Sequence, residues 1–315
     1  MRVLMLRALG LGDFLTAVPA YRALRAAYPE HETVLAAPPV LAPLAELTGA
    51  IDRLLPAREL ERLSWDGPPP EVAVDLHGDG PASHRLVEEL SAPLTMLYAS
   101  PQAPDAKGPW WDPGEHEVTR WCRLPEWYGV PADPADLRLR SPGPSPYAGM
   151  VVLHPGAAST GRRWPAGRFA AVARALTAEG HRVVLTGAPD EQDLTRRIAA
   201  EAGLPPDAAL ETTLAELAAV IASASAVISN DTGTSHLATA YGTPSVTLFG
   251  PVSPALWGPP PDRPEHVALW HGTGGRPGDA HGTETDPRLL LITVEEVLDA
   301  TTRVAGQDRR HRLDR

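Results

Sequence analysis

Asp13 follows an apolar run and a glycine turn in the stretch ALGLGDF. Gly10 and Gly12 supply two glycines of a G-x-G-x-x-G dinucleotide fingerprint, but Leu15 occupies the third position. The carboxylate stands where a pyrophosphate would approach, and like charges at that range repel. An acid there suits a general base acting on a hydroxyl, with Gly10 and Gly12 letting an acceptor come close; helix N-capping is the structural alternative. His77, in DLHGDG after a strand pattern, is a second acceptor-side candidate, with loop packing as its alternative.

A different chemistry gathers further along. In SNDTGTSH a strand ends at Asn230 and Asp231, and Thr232, Gly233, Thr234 and Ser235 begin a helix that continues through His236. Such a first turn offers backbone N–H groups, hydroxyls and the positive end of the helix dipole, a diphosphate site that needs no lysine. The alternative is that Asp231 is a plain N-cap. In VVLHPGAASTGRRWP, His154 closes a strand, Ser159 and Thr160 offer hydroxyls, and Arg162 and Arg163 offer planar forks suited to phosphate oxygens. In LTGAPDEQD, Gly187 ends a third strand, and Asp190 or Glu191 could accept from ribose hydroxyls or simply serve the next helix's first turn. His271, His281 and Asp279 share no ordered ligand spacing, so no metal is expected and 271–287 reads as a flexible polar loop.

Alternating elements must position these residues. Apolar patterning predicts strands over 3–6, 32–36 and 72–76 and helices over 14–27, 41–47 and 116–128. The segment SPGPSPYAG, 141–149, has three prolines and two glycines without periodicity and reads as a linker. Beyond it come strands over 150–153, 182–186, 226–229 and 245–249 and helices over 166–179, 191–202, 213–223, 234–241 and 294–304, with the tail after 305 frayed. Two strand–helix halves imply parallel sheets whose ligands sit at the carboxyl ends of strands, in a cleft between the halves. The expected domains are 1–145 and 146–315, with the final helix able to pack back on the first.

At 315 residues the chain is long enough for two such domains. A net charge of −11 argues against nucleic acid as a partner. A single cysteine, Cys122, excludes an internal disulfide and, with Arg7 and Asp13 interrupting the N-terminal apolar run, points to a cytoplasmic protein with no spanning segment.

Taken together, VLMLRALGLGDFLTAVPAYRALRAAYP, DLHGDG, HPGAASTGRRWPAGRFAAVARAL and ISNDTGTSHLATAYGTPSVTLFGPVSPALWGP resemble glycosyltransferase family 9, the heptosyltransferase-like enzymes that use ADP-heptose. The resemblance implies a GT-B fold, two Rossmann-like doubly wound domains with the acceptor on the N-terminal one and the nucleotide sugar on the C-terminal one. It implies inversion without a catalytic metal or other cofactor, a nucleotide-sugar donor such as ADP-heptose, and a glycan, glycolipid or small-molecule acceptor. Membrane contact would be peripheral. By this resemblance Asp13 is the general base, Asp231, Thr232 and Gly233 lie beside donor sugar and diphosphate with Ser235 and His236 in register, Arg163 meets the donor phosphate, and Ser159 and Thr160 belong to the hydroxyl-bearing donor loop before it. The rivals are a dinucleotide-dependent oxidoreductase or epimerase and a non-catalytic nucleotide-sugar-binding protein.

Overall fold

The computed structural model describes residues 1–273 and 278–313, which divide into two units, Met1–Arg140 and Ser141–Arg315. The boundary falls at the start of the Pro/Gly-rich segment, five residues before the expected one.

The first unit runs β1 (Arg2–Leu6), α1 (Leu11–Thr16), α2 (Val18–Ala27), β2 (Glu32–Ala37), α3 (Ala42–Thr48), β3 (Arg53–Pro56), β4 (Val72–Asp75), α4 (Ala82–Glu88), β5 (Leu94–Met96) and α5 (Glu117–Trp127). Its sheet is parallel throughout, in the order β3-β2-β1-β4-β5. Strands covered on both faces read as unbroken apolar runs, and Val3–Leu6 and Val34–Ala37 are fully buried. The single helix expected over 14–27 is in fact two. Pro19 has no N–H to give the carbonyl of Leu15, so the chain breaks at Ala17 and restarts. The strands β3 and β5, at four and three residues, are too short for a periodicity signal.

The second unit runs β6 (Val151–His154), α6 (Ala166–Ala178), β7 (Val183–Thr186), α7 (Gln192–Ala202), β8 (Ala209–Leu210), α8 (Leu214–Ser223), β9 (Ala226–Asn230), α9 (Gly233–Tyr241), β10 (Ser245–Leu248), α10 (Pro254–Trp257), β11 (His266–Leu269), α11 (Pro287–Leu291) and α12 (Val294–Leu313). Its parallel sheet has the order β11-β10-β9-β6-β7-β8. Helix α12 lies against α6 and the strands β9, β10 and β11 of its own unit, burying Val297, Ala300 and Val304. The tail expected to fray continues this helix to Leu313; the last two residues lie outside the described ones.

Both sheets reverse strand order once, between β1 and β4 and between β6 and β9. Connections from the two strands flanking a reversal leave in opposite directions, which opens a crevice beyond their carboxyl ends. Asp13 and His77 follow the first pair, and the stretches 155–163 and 231–236 follow the second. Ile228 sits fully buried at the centre of the second sheet. Its truncation to Ala should cost about 2–5 kcal/mol of stability, read as a lowered urea midpoint without loss of the parallel-sheet circular dichroism at low denaturant.

Candidate functional site

At the first reversal the residue that organises the turn is Arg7, immediately after β1. Its side chain is fully buried. The Nε donates to the Asp13 carbonyl at 2.5 Å, Nη1 to the Leu76 carbonyl, and Nη2 to Glu117 Oε1 at 3.1 Å and Thr16 Oγ1 at 3.3 Å. The same Nη2 lies 3.5 Å from Asp13 Oδ1, and the guanidinium stacks 4.3 Å from the Trp121 ring centroid. Asp13, in the first turn of α1, keeps about 30% of its side chain exposed. No side chain caps α1 at Gly10, so Asp13 is not the N-cap of that helix. Gly10 has φ −73°, open to any residue, and a Cβ there would lie 3.7 Å from Asp13 Oδ2, so the glycine clears space over the carboxylate and is not a conformational necessity. Gly12 lies within α1 itself.

His77 follows β4. Its Nδ1 accepts from the Ala8 amide at 3.2 Å, which puts the ring proton on Nε2. Burial, helped by the nearby Arg7 charge, lowers its pKa to about 4, so the ring is a neutral donor at physiological pH. Beneath it Asp75 is fully buried and accepts from the His77 amide at 2.8 Å; burial raises its pKa to about 6. His84 Nε2 lies 3.7 Å from Asp75 Oδ2.

At the second reversal Asn230 plays the part that Arg7 plays at the first. Fully buried at the end of β9, it donates from Nδ2 to the carbonyls of Pro155 at 2.8 Å and Gly156 at 3.2 Å, and its Oδ1 accepts from the Trp164 amide at 3.0 Å. Both ends of the loop after β6 are thereby tied to β9. The loop turns Arg162 toward Asp231, Nη1 to Oδ2 at 3.7 Å, with its side chain about 28% exposed.

Arg163 points elsewhere. Its Nε and Nη2 both donate to the Ala157 carbonyl, at 2.9 and 2.7 Å, and Nη2 also to Glu191 Oε1 at 3.2 Å. Glu191 is the inward carboxylate, buried, accepting from the Ala188 amide at 3.0 Å; a Cβ on Gly156 would come within 1.9 Å of its Oε2, so any side chain there would have to displace this carboxylate. Gly187 is likewise packed against Glu191 and Thr195. Asp190 is exposed and lines an open groove of about 570 Å³ with Gln192, Arg196 and Glu211, at the carboxyl ends of β7 and β8.

The cap of α9 is Thr232, whose hydroxyl accepts from the Thr234 amide at 3.3 Å, so Asp231 is not the N-cap. The amide and hydroxyl of Ser235 both donate to the Thr232 carbonyl, at 3.1 and 2.7 Å. The first-turn amides expected to be open are therefore in part locally satisfied, while Gly233 begins the helix. His236 packs edge-on to Trp257, 5.8 Å between ring centroids. His154 is buried with Nδ1 3.0 Å from Thr186 Oγ1, and burial lowers its pKa to about 4. Thr160 opens a single 3-10 turn, and Ser159 Oγ donates to the Ala280 carbonyl at 2.6 Å.

The polar loop is not loose where it is described. Gly161 donates to the Gly282 carbonyl at 2.8 Å and Gly278 to that of Pro251 at 2.8 Å, while residues 274–277 lie outside the described ones. His271 pairs with Glu296 at 2.9 Å. Among the described residues no group of three or more His, Cys, Asp or Glu could hold a metal ion.

Sequence reasoning offered Arg162 and Arg163 alike for phosphate and singled out Arg163 only by resemblance, and it missed Asn230. Two adjacent arginines in a loop are indistinguishable by type, and a strand-end asparagine carries no sign of what it will bridge.

Burial raises the Asp231 carboxyl to about 6, against the lowering pull of Arg162. The folded chain then holds this proton more tightly than the unfolded one, so the contribution is present below about pH 4 and is lost as pH rises through 6. Asp231→Asn should therefore be more stable than wild type above pH 6, by up to about 3 kcal/mol, and equal to it near pH 4, as measured by denaturant titration at both pH values.

Residues 131–274 match the model of glycosyltransferase family 9 (heptosyltransferase), a stretch that includes the second unit's site and leaves Asp13 outside. Lipopolysaccharide heptosyltransferase 3 of Escherichia coli is 39% identical over 113 residues, 35% of this chain and 33% of that protein. The chain's matches span between a third and a half of the length of the curated relatives. Two solved structures share the fold over nearly all of both chains. The E. coli ADP-heptose lps heptosyltransferase II has a TM-score of 0.76 at 22% identity, covering 98% of this chain and 100% of that one. The family 9 glycosyl transferase of Veillonella parvula has 0.76 at 20%, covering 97% of each. Two doubly wound parallel sheets, each with its polar residues at a strand-order reversal, thus give the chain the GT-B fold of two Rossmann-like domains that these structures share, and its second unit carries the similarity to glycosyltransferase family 9.

Proposed function

We propose that the chain is an inverting glycosyltransferase that moves a sugar from a nucleoside diphosphate to an acceptor hydroxyl. The reading rests most heavily on Arg162, whose partly exposed side chain faces the buried Asp231 at the second reversal. It is the cation placed to meet a diphosphate there, since Arg163 is taken up by Ala157 and Glu191. The leaving diphosphate would be stabilised by Arg162 and the positive end of α9, with no metal called on. The nucleoside would extend toward the groove beside Asp190, and Gly187, His154, Ser159 and Thr160 shape the loops around it.

On the first unit Asp13 is the general base. The acceptor hydroxyl gives its proton to Asp13 as its oxygen bonds to the anomeric carbon, and the bond from that carbon to the diphosphate breaks with its electron pair on the leaving oxygen. His77, neutral and protonated on Nε2, can donate to the acceptor. The acceptor class is a glycan, glycolipid or small molecule, and ADP-heptose is the donor that the family and the relatives' names suggest. A reducing, cytoplasmic setting belongs to the same proposal and rests on the single, buried Cys122. No described helix is long and apolar enough to cross a membrane. A dinucleotide fingerprint is not completed, because Leu15 is buried in α1 where its third glycine would be.

A thermal-shift panel of ADP, GDP, UDP, CDP and their sugars tests the donor side. ADP or ADP-heptose should stabilise the wild type by about 2.7 kcal/mol at a hundredfold excess over Kd, and Arg162→Gln should lose most of that. Asp13→Ala should keep the donor's thermal shift and lose transfer by about 10²-fold or more. Wild-type turnover by that variant sinks the mechanism.

A further inference from the structure

The geometry points to Arg7 as the positioning residue that sets the charge state of Asp13, with Glu117 dividing the arginine's charge. This rests on the reading of Asp13 as the base. The guanidinium bonds to the backbone carbonyl of Asp13 as well as facing its carboxylate, so it fixes where α1 starts and where the acid points. It is itself held from three directions: the Leu76 carbonyl after β4, Thr16 at the end of α1, and Glu117 with Trp121 on α5.

Glu117 is buried and accepts from Arg7, from Arg120 and, at 2.6 Å, from Trp121 Nε1. It therefore competes with Asp13 for the same cation. The other ionisable groups near Asp13 and Arg7 are Tyr21 from α2 and Asp75 and His77 around the end of β4. A cation 3.5 Å from the Asp13 carboxylate favours its ionised form, and the Glu117 carboxylate bonded to the same cation opposes that effect, so withdrawing either charge moves Asp13 in a defined direction.

The two substitutions must then act oppositely. Arg7→Gln removes the stabilising cation and should raise the Asp13 titration midpoint by about one pH unit or more. Glu117→Gln removes a competing anion and should lower it. The readout is the carboxyl carbon resonance of Asp13 in full-length chain labelled at aspartate, assigned by its disappearance in Asp13→Asn and followed against pH without any substrate. Arg7→Lys, which keeps the charge and loses the fork, should restore the wild-type midpoint. Shifts in the same direction, an unmoved midpoint in folded Glu117→Gln, or a raised midpoint in folded Arg7→Lys would overturn the inference, even if Arg7→Gln fails to fold. Because no donor or acceptor is present, this outcome is separate from that of Asp13→Ala in transfer: an inert Asp13→Ala with unmoved titrations removes only the role of Arg7.

Discussion

A polar side chain buried at a reversal of strand order has to find its hydrogen bonds inside the protein, and each half of this molecule is arranged around one. An arginine without partners in such a place costs several kcal/mol, and removing one member of a buried pair leaves an uncompensated charge. Arg7 is satisfied only when β4, α1 and α5 are all in place, and Asn230 only when the loop after β6 returns to Trp164. Each thereby converts several mobile backbone segments into one fixed edge.

The candidate site residues inherit their positions from those edges. Asp13 is held by its backbone carbonyl, which leaves the carboxylate partly in solvent where a substrate hydroxyl could reach it. Arg162 is carried by a loop whose two ends are tied to β9. Adjacent arginines thus divide their labour: Arg163 braces the loop against Glu191, and Arg162 remains at the crevice. A pre-set array of this sort needs little reorganisation when charge develops on a leaving group.

Burial also sorts the titratable groups. His77 and His154 are kept neutral, while Asp75 and Asp231 are pushed toward protonation near pH 6. The two carboxylates sit at corresponding places, one at the end of β4 and one just after β9, beside the reversal in each sheet. Both make the chain's stability fall as pH rises through 6, a cost accepted where a carboxylate is placed close to a sheet edge.

Much of the fold was legible from local pattern. Long apolar runs such as Val34–Ala37, helices with strong periodicity such as α6, and the Pro/Gly-rich joint after Arg140 are visible because they depend on neighbours in the chain. So is the presence of Asp13 and of the Asp231–Ser235 turn at strand ends. The strands β3, β5 and β8 were not visible, since at the sheet edges they are only partly buried and too short or too broken by polar residues to read as apolar runs. Strand order, and with it the meeting of Ala8 with His77 and of Arg162 with Asp231, belongs to the tertiary structure alone. Each of these contacts joins residues 69 positions apart, where only packing decides which groups share a crevice. For the same reason the sequence by itself determined which residue types stand at the strand ends, and tertiary structure decided that Arg162 and not Arg163 faces Asp231, and that Thr232 and not Asp231 caps α9.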